Sequence, residues 1–98
     1  MSAPCPPDST GSREFARAEI ERIDTAIVAL IAERMKAAAK VAVAKRNAGL
    51  PILDTNQEAR VVRRAAALAR EADLPEEDLR ALFWQLIVMT RRSQDSAA

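Results

Sequence analysis

The side chains that could do chemistry in this chain are charged residues spaced along one side of a long segment. Arg17, Asp24, Arg34 and Lys45 share a helical stripe, built from steps of three and four residues, with apolar residues between them. A purely structural seam would be apolar throughout, because an unpaired buried charge costs several kcal/mol. The stripe therefore predicts a binding site for a small anion, with Asp24 as a structural ion-pair partner.

The spacing of the three cations limits which of them can reach one ligand. Eleven residues separate Arg34 from Lys45, which gives them nearly the same azimuth on a helix and a separation of about 16 Å. Arg17 precedes Arg34 by about 25 Å of helix, beyond the span of a metabolite. If all three bind one ligand, Arg17 comes from a second copy of the chain. Taken singly, each cation more often extends into solvent or pairs with a nearby carboxylate.

The composition narrows the classes of function. The chain has no histidine and no tyrosine, so the usual bases of catalytic triads and the commonest metal ligand are absent from the sequence. With Cys5 as its single cysteine, it forms no internal disulfide or thiolate metal cluster, which suits the cytoplasm. A net charge of +1 provides no general attraction for nucleic acid, and no apolar run is long enough to span a membrane. We expect no cofactor and no metal.

The elements that position these residues are predicted to be three helices. The first has Ser12 as its N-cap, continues without proline or glycine from Arg13 to about Asn47, and stops before Gly49 and Pro51. At roughly 35 residues it would measure about 52 Å.

Two shorter helices follow. Asp54 and Gln57 form a capping-box pattern that opens a helix to about Ala72. Pro75, followed by acidic residues, opens another that reaches about Gln94. We therefore predict an all-α domain over residues 12–95, a disordered leader at 1–11 and a frayed tail at 96–98.

The third helix carries a second stripe that begins apolar and ends polar. Phe83 and Ile87 lead to Thr90 and Gln94, so its polar end is predicted to face the site. Apolar residues at this spacing are mostly core, which applies to Met35, Phe83, Trp84 and Met89, with an edge position as the alternative for Trp84. The adjacent Arg91 and Arg92 are interpreted as a solvated helix end rather than part of the site.

In order and spacing, residues 13 to 95 resemble the all-helical (AroQ-type) chorismate mutases. The segments that carry the resemblance are RAEIERIDTAIVALIAERM, KVAVAK, GLPILDTNQEARV and LRALFWQLIVMTRRSQ. The resemblance implies an intertwined homodimer with a very long first helix, which rearranges chorismate to prephenate without a cofactor. It also implies a small dicarboxylate as the substrate.

Carried over residue by residue, the resemblance implies a role for seven positions. Arg34 and Arg17 of a second copy would bind the two carboxylates. Lys45 would contact a carboxylate and the ether oxygen, which Gln94 would also bind. Since the rearrangement needs no proton transfer, a site of fixed cations and a neutral donor is sufficient. Gln94 does not titrate, so the resemblance implies a broad pH profile near neutrality.

The remaining positions surround the ring hydroxyl and one carboxylate. Glu58 and the backbone of Asp54 would bind the hydroxyl at C4, and Thr90 stands where the family usually has serine. Gln57 replaces an arginine that many relatives have, which would reduce repulsion with an amine at C4.

Several alternatives therefore stay open. They are a 4-amino-4-deoxychorismate mutase of secondary metabolism, an isochorismate pyruvate lyase, and a non-catalytic helical dimer. The pathway, and activation by a larger partner enzyme, also stay open.

Overall fold

The computed structural model describes residues 9–97 of the chain, which form three α-helices joined by short loops. These are α1 (Ser9–Asn47), α2 (Thr55–Glu71) and α3 (Glu76–Ala97). No strand occurs among residues 9–97, so the predicted all-α class with a long first helix is confirmed.

Helix α1 begins earlier than predicted and ends where predicted. It starts at Ser9, so the expected N-cap at Ser12 was wrong, and residues 9–11 of the predicted leader are helical. The rest of that leader lies outside the described residues. At the other end, Leu50 N–H donates to the Lys45 carbonyl (2.8 Å) and Gly49 N–H to that of Arg46 (3.1 Å). This is a Schellman cap, which needs Gly49 at its positive φ of 71°.

Helix α2 is closed at both ends by local hydrogen bonds. The Asp54 side chain accepts from the Gln57 N–H at 3.1 Å, so the predicted N-cap is confirmed. Leu74 N–H donates to the Ala69 carbonyl at 2.8 Å, and Asp73 adopts a φ of 60° in a second Schellman-type turn. The chain thus reverses after α2 without a glycine.

Helix α3 starts one residue after the predicted position and is longer than predicted. Pro75 precedes it, and its carbonyl accepts from the Leu79 N–H (3.2 Å). The helix reaches Ala97, so the predicted end near Gln94 was placed too early. Residue 98 lies outside the described part of the chain.

The chain divides into two compact units, Met1–Arg34 and Met35–Ala98. In the second unit, α2 packs on α3 through small side chains. The buried residues there are Ala42, Ala65, Ala66, Ala69 and Ile87. Alanine lets helix backbones approach closely, but each one removes little apolar surface from water.

The larger apolar residues are less buried than predicted. Met35 and Phe83 are half-buried, and Trp84 and Met89 are 42% and 37% exposed. No large side chain in the described part of the chain is fully buried. The expectation of a core position was therefore wrong for Met89, whereas Trp84 lies at an edge, the alternative that the sequence left open.

The described part of the first unit is the segment of α1 up to Arg34. It exposes Phe15 (77%), Ile20 (55%), Ile27 (48%), Val28 (66%) and Leu30 (61%). These side chains do not cover one another along a single helix. This segment of α1 therefore presents apolar surface that α1 itself does not bury.

Candidate active site

Lys45 lies at the end of α1, where the chain turns toward α2. Its half-buried side chain donates from Nζ to the Ile52 carbonyl oxygen at 3.2 Å. The Schellman cap at Gly49 reverses the chain and makes this contact across the loop possible. A lysine that satisfies a loop carbonyl while half-buried is partly desolvated, which strengthens its effect on nearby charge.

Glu58 lies in the first turn of α2, with its side chain only 17% exposed. Arg91 of α3 donates two hydrogen bonds to this carboxylate, from Nε to Oε2 at 2.8 Å and from Nη2 to Oε1. Such a bidentate pair is stronger and more directional than a single ionic contact. It fixes the orientation of the Glu58 carboxylate.

The charges around Glu58 keep it ionised. Hydrogen bonds from Arg91 lower the pKa of Glu58 below its ordinary value of 4.5, against the opposing effect of burial. Lys45 lowers this pKa further, while Asp54 raises it. The pKa of Arg91 is raised in turn by its hydrogen bonds to Glu58. Lys45, Asp54 and Glu58 therefore form one electrostatic cluster.

Arg91 is the functional candidate that the sequence reasoning missed. The guanidinium lies over the Trp84 ring, with Cζ 5.3 Å from its centroid, while also binding Glu58. Its interpretation as part of a solvated helix end was wrong, because α3 continues beyond it and its side chain bridges to α2. The available signals were its seven-residue spacing from Trp84 and its position one turn after Ile87.

Thr90 and Gln94 meet at a shallow pocket between α1 and α3. The pocket encloses about 50 Å³ and is lined also by Met35, Ala38 and Ala42. The polar end of the α3 stripe therefore faces a pocket, while its place in a functional site stays a prediction. Sites for small molecules usually have about 300–1,000 Å³, so the pocket of one chain is too small for a metabolite.

The Thr90 hydroxyl is engaged within the protein. It donates to the Leu86 carbonyl at 2.9 Å and contacts the Met35 sulfur at 3.6 Å. To bind a substrate carboxylate it would have to rotate away from the carbonyl of its own helix.

Arg17 and Arg34 belong to the first unit. Arg17 is exposed and Arg34, the last residue of that unit, is half-buried. Their convergence with Lys45 on one ligand stays a prediction. In the second unit, the structure brings together Lys45, Asp54 and Glu58 around the loop, and Thr90 with Gln94 at the pocket.

The residues that the structure describes contain no group of three or more histidine, cysteine, aspartate or glutamate side chains placed to hold a metal ion. None of their helices has an apolar stretch long enough to cross a membrane.

Comparison with known protein families decides the assignment. A family model described as chorismate mutase type II matches residues 16–95. The chain belongs to the type II chorismate mutase family. This match confirms the resemblance drawn from the sequence segments. The family is one of isomerases. Among curated proteins and solved structures, no significant match is found.

Membership of the chorismate mutase family indicates which chemistry to look for in the charged cluster of Lys45, Asp54 and Glu58 and in the pocket at Thr90 and Gln94. The reaction needs fixed positive charge and hydrogen-bond donors around a dianion, and it needs no acid or base to transfer a proton. Lys45 and Gln94 have the required chemistry.

Proposed function

We propose that this protein rearranges chorismate to prephenate, at two equivalent sites that two copies of the chain build together. The match of residues 16–95 to the type II chorismate mutases carries the proposal. The charged cluster of Lys45, Asp54 and Glu58, and the polar pocket at Thr90 and Gln94, support it.

In the proposed reaction the bond between the ether oxygen and the ring breaks while a carbon–carbon bond forms. Negative charge grows on the ether oxygen in the transition state. Lys45 supplies a cation to that oxygen, and the Gln94 amide supplies a neutral N–H donor. Arg34 and the Arg17 of the second copy bind the two carboxylates and hold the enolpyruvyl group over the ring.

The hydroxyl group at C4 of the substrate is assigned to the α2 end of the site. The Glu58 carboxylate accepts its hydrogen bond, and the backbone at Asp54 provides a further contact. Asp54 caps α2 through its side chain, which holds this backbone in place. Thr90 is assigned to a substrate carboxylate, after its hydroxyl turns from the Leu86 carbonyl.

Three observations support a site that is shared between two copies. Arg17 is about 25 Å along a helix from Arg34, too far for one small ligand. The pocket within one chain encloses only about 50 Å³. The first unit exposes large apolar residues such as Ile20 and Leu30. An antiparallel pairing of two α1 helices would bring Arg17 of one copy to the site of the other, enlarge the pocket and cover the exposed apolar residues. It would also generate two equal sites by symmetry.

Product analysis tests the reaction. The purified protein is incubated separately with chorismate, isochorismate and 4-amino-4-deoxychorismate, and each product is identified. Conversion of chorismate to prephenate at the highest kcat/KM is expected. Faster turnover of the amine would indicate the aminodeoxychorismate mutase, release of pyruvate from isochorismate the lyase, and no turnover a non-catalytic dimer.

Mixing two inactive variants tests the shared site. In a statistical mixture of Arg17→Ala and Lys45→Ala chains, one site in each heterodimer avoids both changes, so about a quarter of the sites should recover. Arg22→Ala is the control for Arg17→Ala, since Arg22 is exposed on α1 and pairs with Glu19; alone it should keep full activity. No recovery on mixing would mean that each site is built within one chain.

The proposal extends to the setting of the reaction. We assign it to the cytoplasm and to the biosynthesis of aromatic amino acids or related metabolites from the same precursor. A change in kcat/KM on adding a larger enzyme of the same pathway would reveal an activating partner.

A further inference from the structure

The proposed roles include Glu58 but leave out Arg91, which binds it. Arg91 reaches Glu58 from another helix, binds both carboxylate oxygens, and lies over the Trp84 ring. Its side chain remains 38% exposed, and that of Glu58 17%. A bidentate pair that joins two helices and stays accessible to solvent can still meet a ligand.

The pair leaves acceptor capacity on Glu58. An ionised carboxylate has about four lone-pair sites, and the two hydrogen bonds from Arg91 occupy two of them. A hydroxyl group can donate to a remaining site without displacing the arginine. An ammonium group would bring a second full positive charge to a carboxylate whose charge Arg91 already offsets, and Lys45 is close enough to add to the repulsion.

We propose that Arg91 is a specificity-determining residue, which through its pair with Glu58 favours a substrate with a neutral hydroxyl at the ring position over one with an ammonium group. This inference rests on the proposed function, because it assigns Glu58 to the C4 substituent. It also bears on Gln57, whose neutral side chain would reduce repulsion with an amine at C4. The cation next to Glu58 comes instead from Arg91 of α3.

Arg91 is held in place by two different contacts, which keep its charge next to Glu58. The Trp84 ring supports the guanidinium from one side while Glu58 binds it in the plane. A guanidinium held in this way cannot easily turn aside to make room for another cation. Lysine at the same place would keep a charge but lose the paired hydrogen bonds and the planar contact.

The test measures kcat/KM for chorismate and for 4-amino-4-deoxychorismate with wild-type protein, Arg91→Met, Arg91→Lys and the control Arg92→Met. Arg92 is the exposed neighbour of Arg91, so its change removes an equal charge from the same helix. Arg91→Met should move the ratio of the two values toward the amine by about tenfold, the equivalent of one pKa unit. Arg91→Lys should move it less, and Arg92→Met should leave it unchanged.

The ratio within one variant does not depend on how much of the protein is folded, so a purely structural effect of Arg91 would not change it. Should Arg91→Met fail to fold, Arg91→Lys gives the same reading with a smaller shift. As an independent readout, emission from Trp84, the single tryptophan, should change in Arg91→Met and not in Arg92→Met.

The outcomes distinguish the proposed mutase reaction from the proposed effect of Arg91 on specificity. If the wild-type protein converts neither substrate, the proposed function fails and this inference fails with it. If the wild-type protein converts chorismate but Arg91→Met gives the wild-type ratio, the inference alone is wrong.

Discussion

The two units of this chain differ in burial, because all the buried residues in the described part of the chain lie in the second unit. In the second unit, α2 and α3 pack on each other, and Ala65, Ala69 and Ile87 are 1%, 1% and 5% exposed. In the first unit, α1 leaves Phe15 77% and Val28 66% exposed. Packing within one chain therefore buries small side chains of the helix pair, while it leaves the first half of α1 and larger residues of the pair, such as Leu82 (59%), exposed.

The same difference separates the two groups of site residues. The second unit contains Lys45 and Glu58, held by hydrogen bonds within that unit. The first unit contains Arg17 and Arg34; we propose that Arg34 serves the site of its own chain and that Arg17 serves the site of a second copy. If this division holds, changes on the exposed half of α1 should affect self-association, and changes in the packed helix pair should affect catalysis or stability within one chain.

The largest effect is expected from a charge on the exposed apolar side of α1. Ile27→Glu would place a carboxylate where we propose that a second copy packs, and burying it costs several kcal/mol. Self-association should be lost, with a fall in kcat/KM of at least about 100-fold. Sedimentation velocity and initial rates measure both effects.

Ala29→Glu is the matched control for Ile27→Glu. Ala29 is exposed on the opposite side of the same helix, so the new glutamate should stay in solvent. If both variants stay associated and active, the exposed apolar surface of α1 does not serve as an interface.

The next effect concerns the cation in the packed unit. Lys45→Met keeps the apolar stem and removes the charge, and kcat should fall by about 100- to 1,000-fold, as for other groups that stabilise developing charge. Lys40→Met, an exposed change on the same helix, is expected to leave kcat unaltered. A loss confined to KM would show that Lys45 binds the substrate without stabilising the transition state.

A smaller effect is expected from overfilling the packed helix pair. Ala69 is 1% exposed, so Ala69→Leu should lower the free energy of unfolding by about 1–3 kcal/mol. Ala81→Leu makes the same change at an exposed position of α3 and should have little effect. Urea titration followed by circular dichroism measures both, and equal midpoints for the two variants would contradict the packing described.

The smallest effect is expected from pH near neutrality. The pKa of Glu58 lies below 4.5, so its pair with Arg91 is fully formed above the ordinary value and is lost only as the pH falls through the lowered pKa. Gln94 does not titrate. Between pH 6 and 8, kcat/KM should therefore stay flat, whereas Gln94→Glu should favour acid because the glutamate donates only when protonated. A steep fall of wild-type turnover in this range would oppose both assignments.

Much of the fold could be predicted from the sequence because its signals are local. Gly49 stops α1 and Asp54 caps α2 through contacts within a few residues, and both were placed correctly. The start of α1 at Ser9 and the end of α3 at Ala97 were missed, since sequence patterns specify the exact ends of helices only to within a few residues.

The candidate site was predictable to a lesser extent. The stripe spacing placed Thr90 and Gln94 toward a common pocket, since a helix sets which residues share a side. Arg91 was assigned to solvent, because nothing in its own helix announces a carboxylate 33 residues earlier in the chain. That pairing depends on how two helices pack.

The amino-acid sequence by itself determined the all-α class, the boundaries marked by Gly49 and Asp54, and the family, because helix propensity, caps and residue spacing act over short stretches of chain. Only the tertiary structure decided that Arg91 binds Glu58 over Trp84, and that alanines form the buried contact of α2 with α3. Those contacts join residues distant in sequence, and their existence depends on the packing of whole helices rather than on any local pattern.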